Sequence, residues 1–210
     1  MRRVPLITAI AVLAAGPAAV VAAAPPSLTM TASPTLVAYG GTATLSGTLS
    51  NKRAGQTVSV EAQECGQTAF KRIATVTTTT NGAWTYVAKP TINSTYRAKF
   101  KSATSSPALV RVRPAIRLKK RSARHFSVAL TAAQSFQGKF VYFQRYVASS
   151  RKWRNVTRVT LKTATGTAPA IDTSSAFRVR ITARLKIRAL LPQTQAGTCY
   201  VAAQSNVIRS

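Results

Sequence analysis

Glu61, Glu64 and Asp172 are the only carboxylate side chains in this chain of 210 residues, and His125 is its only histidine. Acid–base catalysis by paired carboxylates, a carboxylate-supported triad and a carboxylate metal cluster all need several such groups at one site, and the chain has almost none to give. A single imidazole rules out a His-rich metal site and most His-dependent activation of a nucleophile. The remaining reactive types are Cys65 and Cys199. A thiol–imidazole pair with His125 would still want an orienting Asn or Asp. His125 stands between Arg124 and Phe126 at a strand start, where a structural histidine is the plainer expectation. The sequence therefore predicts no enzymatic activity and no cofactor.

The residue types that abound are cations: 30 Lys and Arg against 3 acids, a formal net charge of +27. Binding to something anionic is the chemistry they suit. Their distribution is uneven, with 10 basic and 2 acidic residues in 25–114 and 18 basic and 1 acidic in 115–210. The candidate contacts are Lys119, Lys120, Arg121 and Arg124, then Arg151, Lys152 and Arg154, then Arg178, Arg180 and Arg188. With few carboxylates to pair with, such a surface is neutralised from outside, by anionic cell-envelope polymers, acidic polysaccharide, lipid headgroups or extracellular DNA. The same charge also serves as a solubilising surface. Tyr142 and Tyr146 lie free among the bases, whereas Phe143 falls on the core phase and Trp153 corresponds to Phe70 at what reads as a core position. No signature for sequence-specific nucleic-acid reading is present. Asn93 and Asn155 begin formal glycosylation sequons.

The elements that must carry these residues begin after a leader. Met1-Arg2-Arg3, an uncharged run from Val4 and the small residues Ala18–Ala24 form a secretory signal peptide over 1–24, with an uncleaved anchor as the alternative. Removal of that segment leaves an exported chain with no span of membrane length. From Ser27 onward the periodicity is two rather than 3.6, rich in Val, Thr and aromatics, and broken by Gly, Asn, Ser and Pro, which predicts an all-β fold of short antiparallel strands. Asn81-Gly82 reads as a hairpin turn, and Phe177, Val179 and Ile181 read as one face of a strand. The chain also repeats itself. Gly55–Val60 matches Gly138–Phe143, and Phe70–Val76 matches Trp153–Val159, both at an offset of 83. Two β-sandwich domains follow, 25–114 and 115–210, with the boundary at Arg113-Pro114-Ala115.

The run from Ala32 to Gly47, with Gly55-Gln56-Thr57-Val58, Val76–Tyr86 and Pro90–Ala98, resembles the tandem bacterial Ig-like repeats of secreted and cell-surface proteins. That resemblance implies extracellular antiparallel sandwiches used as spacers, stalks and binding units, with no activity of their own. Thr79-Thr80 stand where members with a calcium-binding turn carry Asp, which argues against that ion here.

An even cysteine count in an exported chain favours a disulfide, and one between Cys65 and Cys199 would tie the two domains. Two buried thiols or an intermolecular pair are the other arrangements. Taken together, the sequence predicts a non-enzymatic exported Ig-like module, surface-associated, with electrostatic affinity for anionic polymers. An inhibitor or accessory subunit gripping an acidic partner protein through the basic face of domain 2 is the alternative.

Overall fold

The computed structural model describes residues 25–210, so the signal peptide expected over 1–24 lies outside the described residues. The described chain is an all-β Ig-like sandwich protein. Its first set of strands is β1 (Thr31–Ser33), β2 (Leu36–Ala38), β3 (Ala43–Thr48), β4 (Thr57–Glu64), β5 (Lys71–Thr77), β6 (Ala83–Ala88), β7 (Ser94–Phe100), β8 (Ala103–Thr104) and β9 (Ala108–Arg113). Three of them form the sheet β1-β3-β6, and the rest form β2-β9-β7-β4-β5 with β8 on β7. Inward positions alternate as the period of two requires. Leu45 and Leu49, Val58, Val60 and Ala62, Trp84 and Ala88, Tyr96, Ala98 and Phe100, Val110 and Val112 are all buried between the two sheets.

The second set is β10 (Ala115–Ser122), β11 (His125–Ala132), β12 (Phe140–Val147), β13 (Lys152–Thr160), β14 (Thr163–Thr167), β15 (Ala170–Arg178), β16 (Lys186–Leu191), β17 (Ala203–Gln204) and β18 (Ile208–Arg209). The sheet β10-β11-β15-β14 covers the sheet β13-β12-β16-β17, to which β18 adds beside β16. Phe126, Val128, Leu130, Val141, Phe143, Ile187, Ala189 and Leu191 fill the space between them. No sheet mixes strands from the two sets, and only the buried Pro114 separates β9 from β10. Proline suits this place because it has no N–H to leave unpaired where one sheet ends and the next begins.

Three expectations need correction. Asn81-Gly82 does adopt positive φ, at 61° and 71°, but it makes no hairpin: β5 and β6 belong to different sheets, and the turn carries the chain across the sandwich. Its carbonyl is taken by Leu49, whose N–H donates to Gly82 O at 2.9 Å. A Cβ on Gly82 would lie 2.4 Å from Leu49 O, so the close approach as well as the φ requires glycine. Second, β15 ends at Arg178, so Val179, Arg180 and Ile181 are in the following loop and the strand starts earlier, burying Thr173 and Ser175. Third, pairing is not wholly antiparallel, because β2 runs parallel to β9.

The repeat extends from sequence to hydrogen bonds. Gly55 N donates to Thr78 O and Thr78 N to Gln56 O; at the same offset of 83, Gly138 N donates to Leu161 O and Leu161 N to Lys139 O. The β4–β5 ladder slips between Val60 and Glu61, and the β12–β13 ladder slips at the matching step between Phe143 and Gln144. Beyond these strands the offset grows, to 91 for the pairing of Glu61 with Arg97 and Gln144 with Arg188. It reaches 100 at Ser105 and Ser205, whose hydroxyls accept from Ala98 N and Ala189 N respectively. The extra residues of domain 2 supply β14 and a longer connection between β16 and β17.

That longer connection holds domain 1. It contains the short helix α1 (Gln193–Ala196) and then Cys199, which is bonded to Cys65 with Cα atoms 5.3 Å apart. Asn93 Nδ2 donates to Thr198 O at 3.0 Å and Asn93 N donates to Cys199 O at 3.1 Å, while its Oδ1 accepts from Val112 N at 2.7 Å. The sequon at Asn93 is thus occupied by the joint itself. Tyr200 is fully buried; its hydroxyl donates to Thr91 O at 2.8 Å and accepts from Ala133 N at 2.9 Å. Tyr39 donates across the same joint to Pro169 O at 2.7 Å.

Candidate anion-binding surface

The end of domain 2 away from this joint gathers the turns β10–β11 and β12–β13, the loop after β15 and the end of β18. Ladder register places them together: Ser122 opposes His125, His125 opposes Arg178, Val147 opposes Lys152, and Lys186 opposes Arg209. Leu118 N, donating to Asn206 Oδ1 at 2.9 Å, aligns β10 with the strand that ends there. Lys119, Lys120, Arg121, Arg124, Arg151, Lys152, Arg154, Arg178 and Arg180 are all exposed on or beside this pole. Two of them, Arg124 and Arg151, stand at the turn positions with φ of 64° and 50°. Arg121 Nε donates to Ser127 Oγ at 2.9 Å, and Arg145 opposes Arg154 across the hairpin, two like charges that water must screen. His125 is exposed among them, with Nδ1 3.1 Å from Ser122 Oγ and 3.0 Å from the Ala123 carbonyl.

The three carboxylates are elsewhere. Asp172 accepts from Thr131 on β11, toward the joint. Glu64 is at the joint end of β4 in domain 1. Glu61 lies on the outer face of β4, where Arg97 Nε reaches it at 2.6 Å and Lys99 Nζ at 3.9 Å.

The remaining candidate, Arg188, belongs to a second cationic surface, the solvent side of β13-β12-β16. Rows across this face follow from register: Arg158–Tyr142–Leu190, then Asn155–Gln144–Arg188, then Trp153–Tyr146 with Lys186 beyond. Trp153 is therefore outside the core, which corrects the expectation made for it and for Phe70. The cause is the slip at Val156. One extra residue on β13 reverses its alternation, so Trp153 shares a parity with buried Val159 yet faces the opposite way. Phe70 is displaced by the same slip at Ile73, which the bulge leaves 44% exposed.

The outer face is a mesh of rings and cations. The Arg188 guanidinium stands over Trp153 at 4.1 Å, Arg158 over Phe140 at 4.9 Å and Tyr142 at 5.7 Å, and Lys186 over Tyr146 at 5.9 Å. Phe140 and Tyr142 meet edge to face at 5.2 Å, and Tyr146 tilts against Trp153 at 5.4 Å. Arg188 Nε donates to Gln144 Oε1 at 2.8 Å and Nη1 to Gln204 Oε1 at 2.6 Å; partial burial pulls the pKa of this guanidinium below its ordinary value. Gln144 is 6% exposed and passes its own Nε2 to Asn155 Oδ1 at 2.8 Å. Asn155, the second sequon, is thus on this face.

Sequence reasoning picks out the bases of the pole and the two tyrosines, and it misses Phe140, Trp153 and Arg209 on the outside and the buried Gln144 that holds Arg188. A column-by-column reading of the repeat would have exposed Phe140 opposite Thr57; the bulge that moves Trp153 leaves no mark in composition or spacing.

No family model matches the chain, and no curated protein matches it. Among solved structures it is similar to a marsupial T cell receptor, with 10% sequence identity over 88% of this chain and 100% of that one, at a TM-score of 0.34. Among the described residues no helix is long and apolar enough to cross a membrane.

Proposed function

We propose that the chain is a non-enzymatic, exported Ig-like module of the bacterial cell surface, and that domain 2 binds anionic envelope polymers by charge. The observation that carries this reading is the free pole of domain 2, where nine exposed Lys and Arg side chains meet without a carboxylate side chain among them. Such a cluster is costly to hold together unless counterions or a polyanion neutralise it. Domain 1, clasped to the opposite end by Cys65–Cys199, serves as a stalk or spacer.

The test is retention of the purified protein on immobilised wall polymer, heparin and DNA at low ionic strength, with elution by a salt gradient. Charge-driven binding weakens steeply with salt. Passage through all three resins at low salt would end the proposal. A single acidic protein captured from culture medium in stoichiometric amount, with no polymer retained, would replace it by the partner-protein alternative.

A further inference from the structure

Four aromatic side chains on the solvent side of a sheet add nothing to a core, and domain 1 manages with one. At equivalent ladder positions Thr57, Ser59 and Gln63 stand where domain 2 has Phe140, Tyr142 and Tyr146, and Phe70 stands for Trp153. The charges are rearranged at the same place. Thr75, Thr95 and Leu109 correspond to Arg158, Lys186 and Arg209, while Arg72 and Lys99 correspond to Asn155 and Leu190. Cations have thus moved to the rows that hold rings.

The central row shows why this matters. Domain 1 places Arg97 over Phe70 at 4.0 Å and cancels its charge with Glu61 at 2.6 Å. Domain 2 places Arg188 over Trp153 at 4.1 Å and holds the same nitrogen with a glutamine, Gln144, at 2.8 Å. The geometry is retained and the neutralisation is removed. A carboxamide in place of a carboxylate fixes the guanidinium without spending its charge, which leaves Arg188 for a ligand.

We propose that the outer face of β13-β12-β16 binds an acidic polysaccharide, its hydroxyl groups meeting the phenols of Tyr142 and Tyr146 and its acid groups meeting Arg158, Arg188 and Lys186, with Trp153 as the platform that holds Arg188. This rests on the polyanion reading above and adds to the pole a second face, with one polymer class. A nucleic acid fits less well, because base stacking needs open ring faces, and those of Trp153, Phe140 and Tyr142 already carry guanidinium groups. What the face offers is guanidinium, phenol hydroxyl and the amide groups of Asn155 and Gln204, a mixture of donors and acceptors suited to a hydroxyl-rich chain. Gln144 is a positioning residue that acts through Arg188.

The experiment uses the whole protein and three probes: polygalacturonate, linear polyphosphate and single-stranded oligothymidine. The wild type is expected to hold polygalacturonate to a higher salt concentration than polyphosphate. Gln144→Glu, which installs the carboxylate of domain 1, is expected to weaken polygalacturonate binding about tenfold and to lower its salt dependence. Tyr142→Ala with Trp153→Ala is expected to erase the preference for polygalacturonate while polyphosphate still binds the pole. Thermal melting verifies folding, and if the aromatic double variant fails to fold, the near-isosteric Gln144→Glu carries the test. Polygalacturonate affinity unchanged within about twofold in Gln144→Glu, elution no later than polyphosphate, or a preference for oligothymidine each overturns the inference while leaving charge-driven binding intact. Failure of the wild type to bind any probe removes the underlying reading as well.

Discussion

At one end of domain 1, Tyr39, Cys65, Thr91 and Asn93 are all engaged with domain 2; at the corresponding end of domain 2, the equivalent turns carry Arg124, Arg151 and Arg180 into solvent. The two ends are built from the same connections of the same repeat. In domain 1 the end is a socket, filled by the long β16–β17 connection of its neighbour. In domain 2 nothing among the described residues fills it, and its turns carry cations where domain 1 has groups bonded to its neighbour. A duplicated scaffold thus has one pole committed to assembly and one left to the surroundings, and the chemistry of each pole follows that assignment.

Opening the socket has the largest effect. The bond Cys65–Cys199 closes 134 residues of sequence, and in the chain-entropy account its removal costs roughly 4 to 5 kcal/mol. Cys65→Ser with Cys199→Ser should shift the denaturant midpoint accordingly and separate the unfolding of the two domains into resolvable steps. A shift below about 1 kcal/mol would mean that Tyr200, Tyr39 and Asn93 hold the joint unaided.

The cores make a second contrast. Gly47 faces Trp84 across β3 and β6, and at the same place in domain 2 Leu130 faces Thr173. The large partner sits on opposite strands in the two domains. A Cβ on Gly47 would meet Thr29 O at 1.9 Å and the Trp84 ring at 2.9 Å. Gly47→Ala is therefore expected to destabilise domain 1 by overpacking, by about 3 kcal/mol, and Leu130→Ala to destabilise domain 2 through a cavity by about 3 kcal/mol. Equilibrium unfolding of each variant measures both, and a neutral Gly47→Ala would show that the segment carrying Thr29 can move away.

How much of this the sequence discloses depends on whether alternation is interrupted. Val58, Val60, Phe126, Val128 and Leu130 lie on uninterrupted stretches, and period two alone identifies their buried face. Thr173 and Ser175 are buried without looking so, because a hydroxyl can enter a core when a backbone partner is at hand, as Thr173 Oγ1 accepts from Phe136 N at 3.1 Å. Trp153 and Phe70 escape a reading by periodicity because a bulge is a property of the ladder between two strands, whereas periodicity is read along one. The surface pole was legible as clusters of Lys and Arg, yet its unity is a product of topology, which brings Lys120, Arg151 and Arg178 from three separate stretches to one end.

Two buried tyrosines set a pH limit on the comparison. Burial pushes Tyr96, in the core of domain 1, and Tyr200, in the joint, up to about 12 from the usual 10.0. The folded state retains these protons where the unfolded state releases them. Their contribution is complete below pH 10 and is lost as pH rises toward 12. Stability measured by denaturant titration should fall across that window. Tyr200→Phe should flatten part of the slope at the joint, and Tyr96→Phe should flatten the part that belongs to domain 1. An unaltered slope in both variants would refute the assignment.

The smallest effect is also the one that tests the two domains most directly. Arg97→Met leaves the half-buried Glu61 with only Lys99 at 3.9 Å, and a carboxylate so placed loses its close partner at a cost of about 1 kcal/mol. Arg188→Met removes a partly buried cation whose hydrogen-bond partners, Gln144 and Gln204, are uncharged, and the methionine still covers Trp153. Because buried Gln144 Oε1 loses its donor, the effect on stability should be of similar size, about 1 kcal/mol. Binding should separate the two, with polyanion affinity reduced by Arg188→Met and unaffected by Arg97→Met, since Glu61 already cancels that charge. Equal loss of polyanion binding in the two variants would mean that the exchange of Glu61 for Gln144 has no bearing on what each domain does with its arginine.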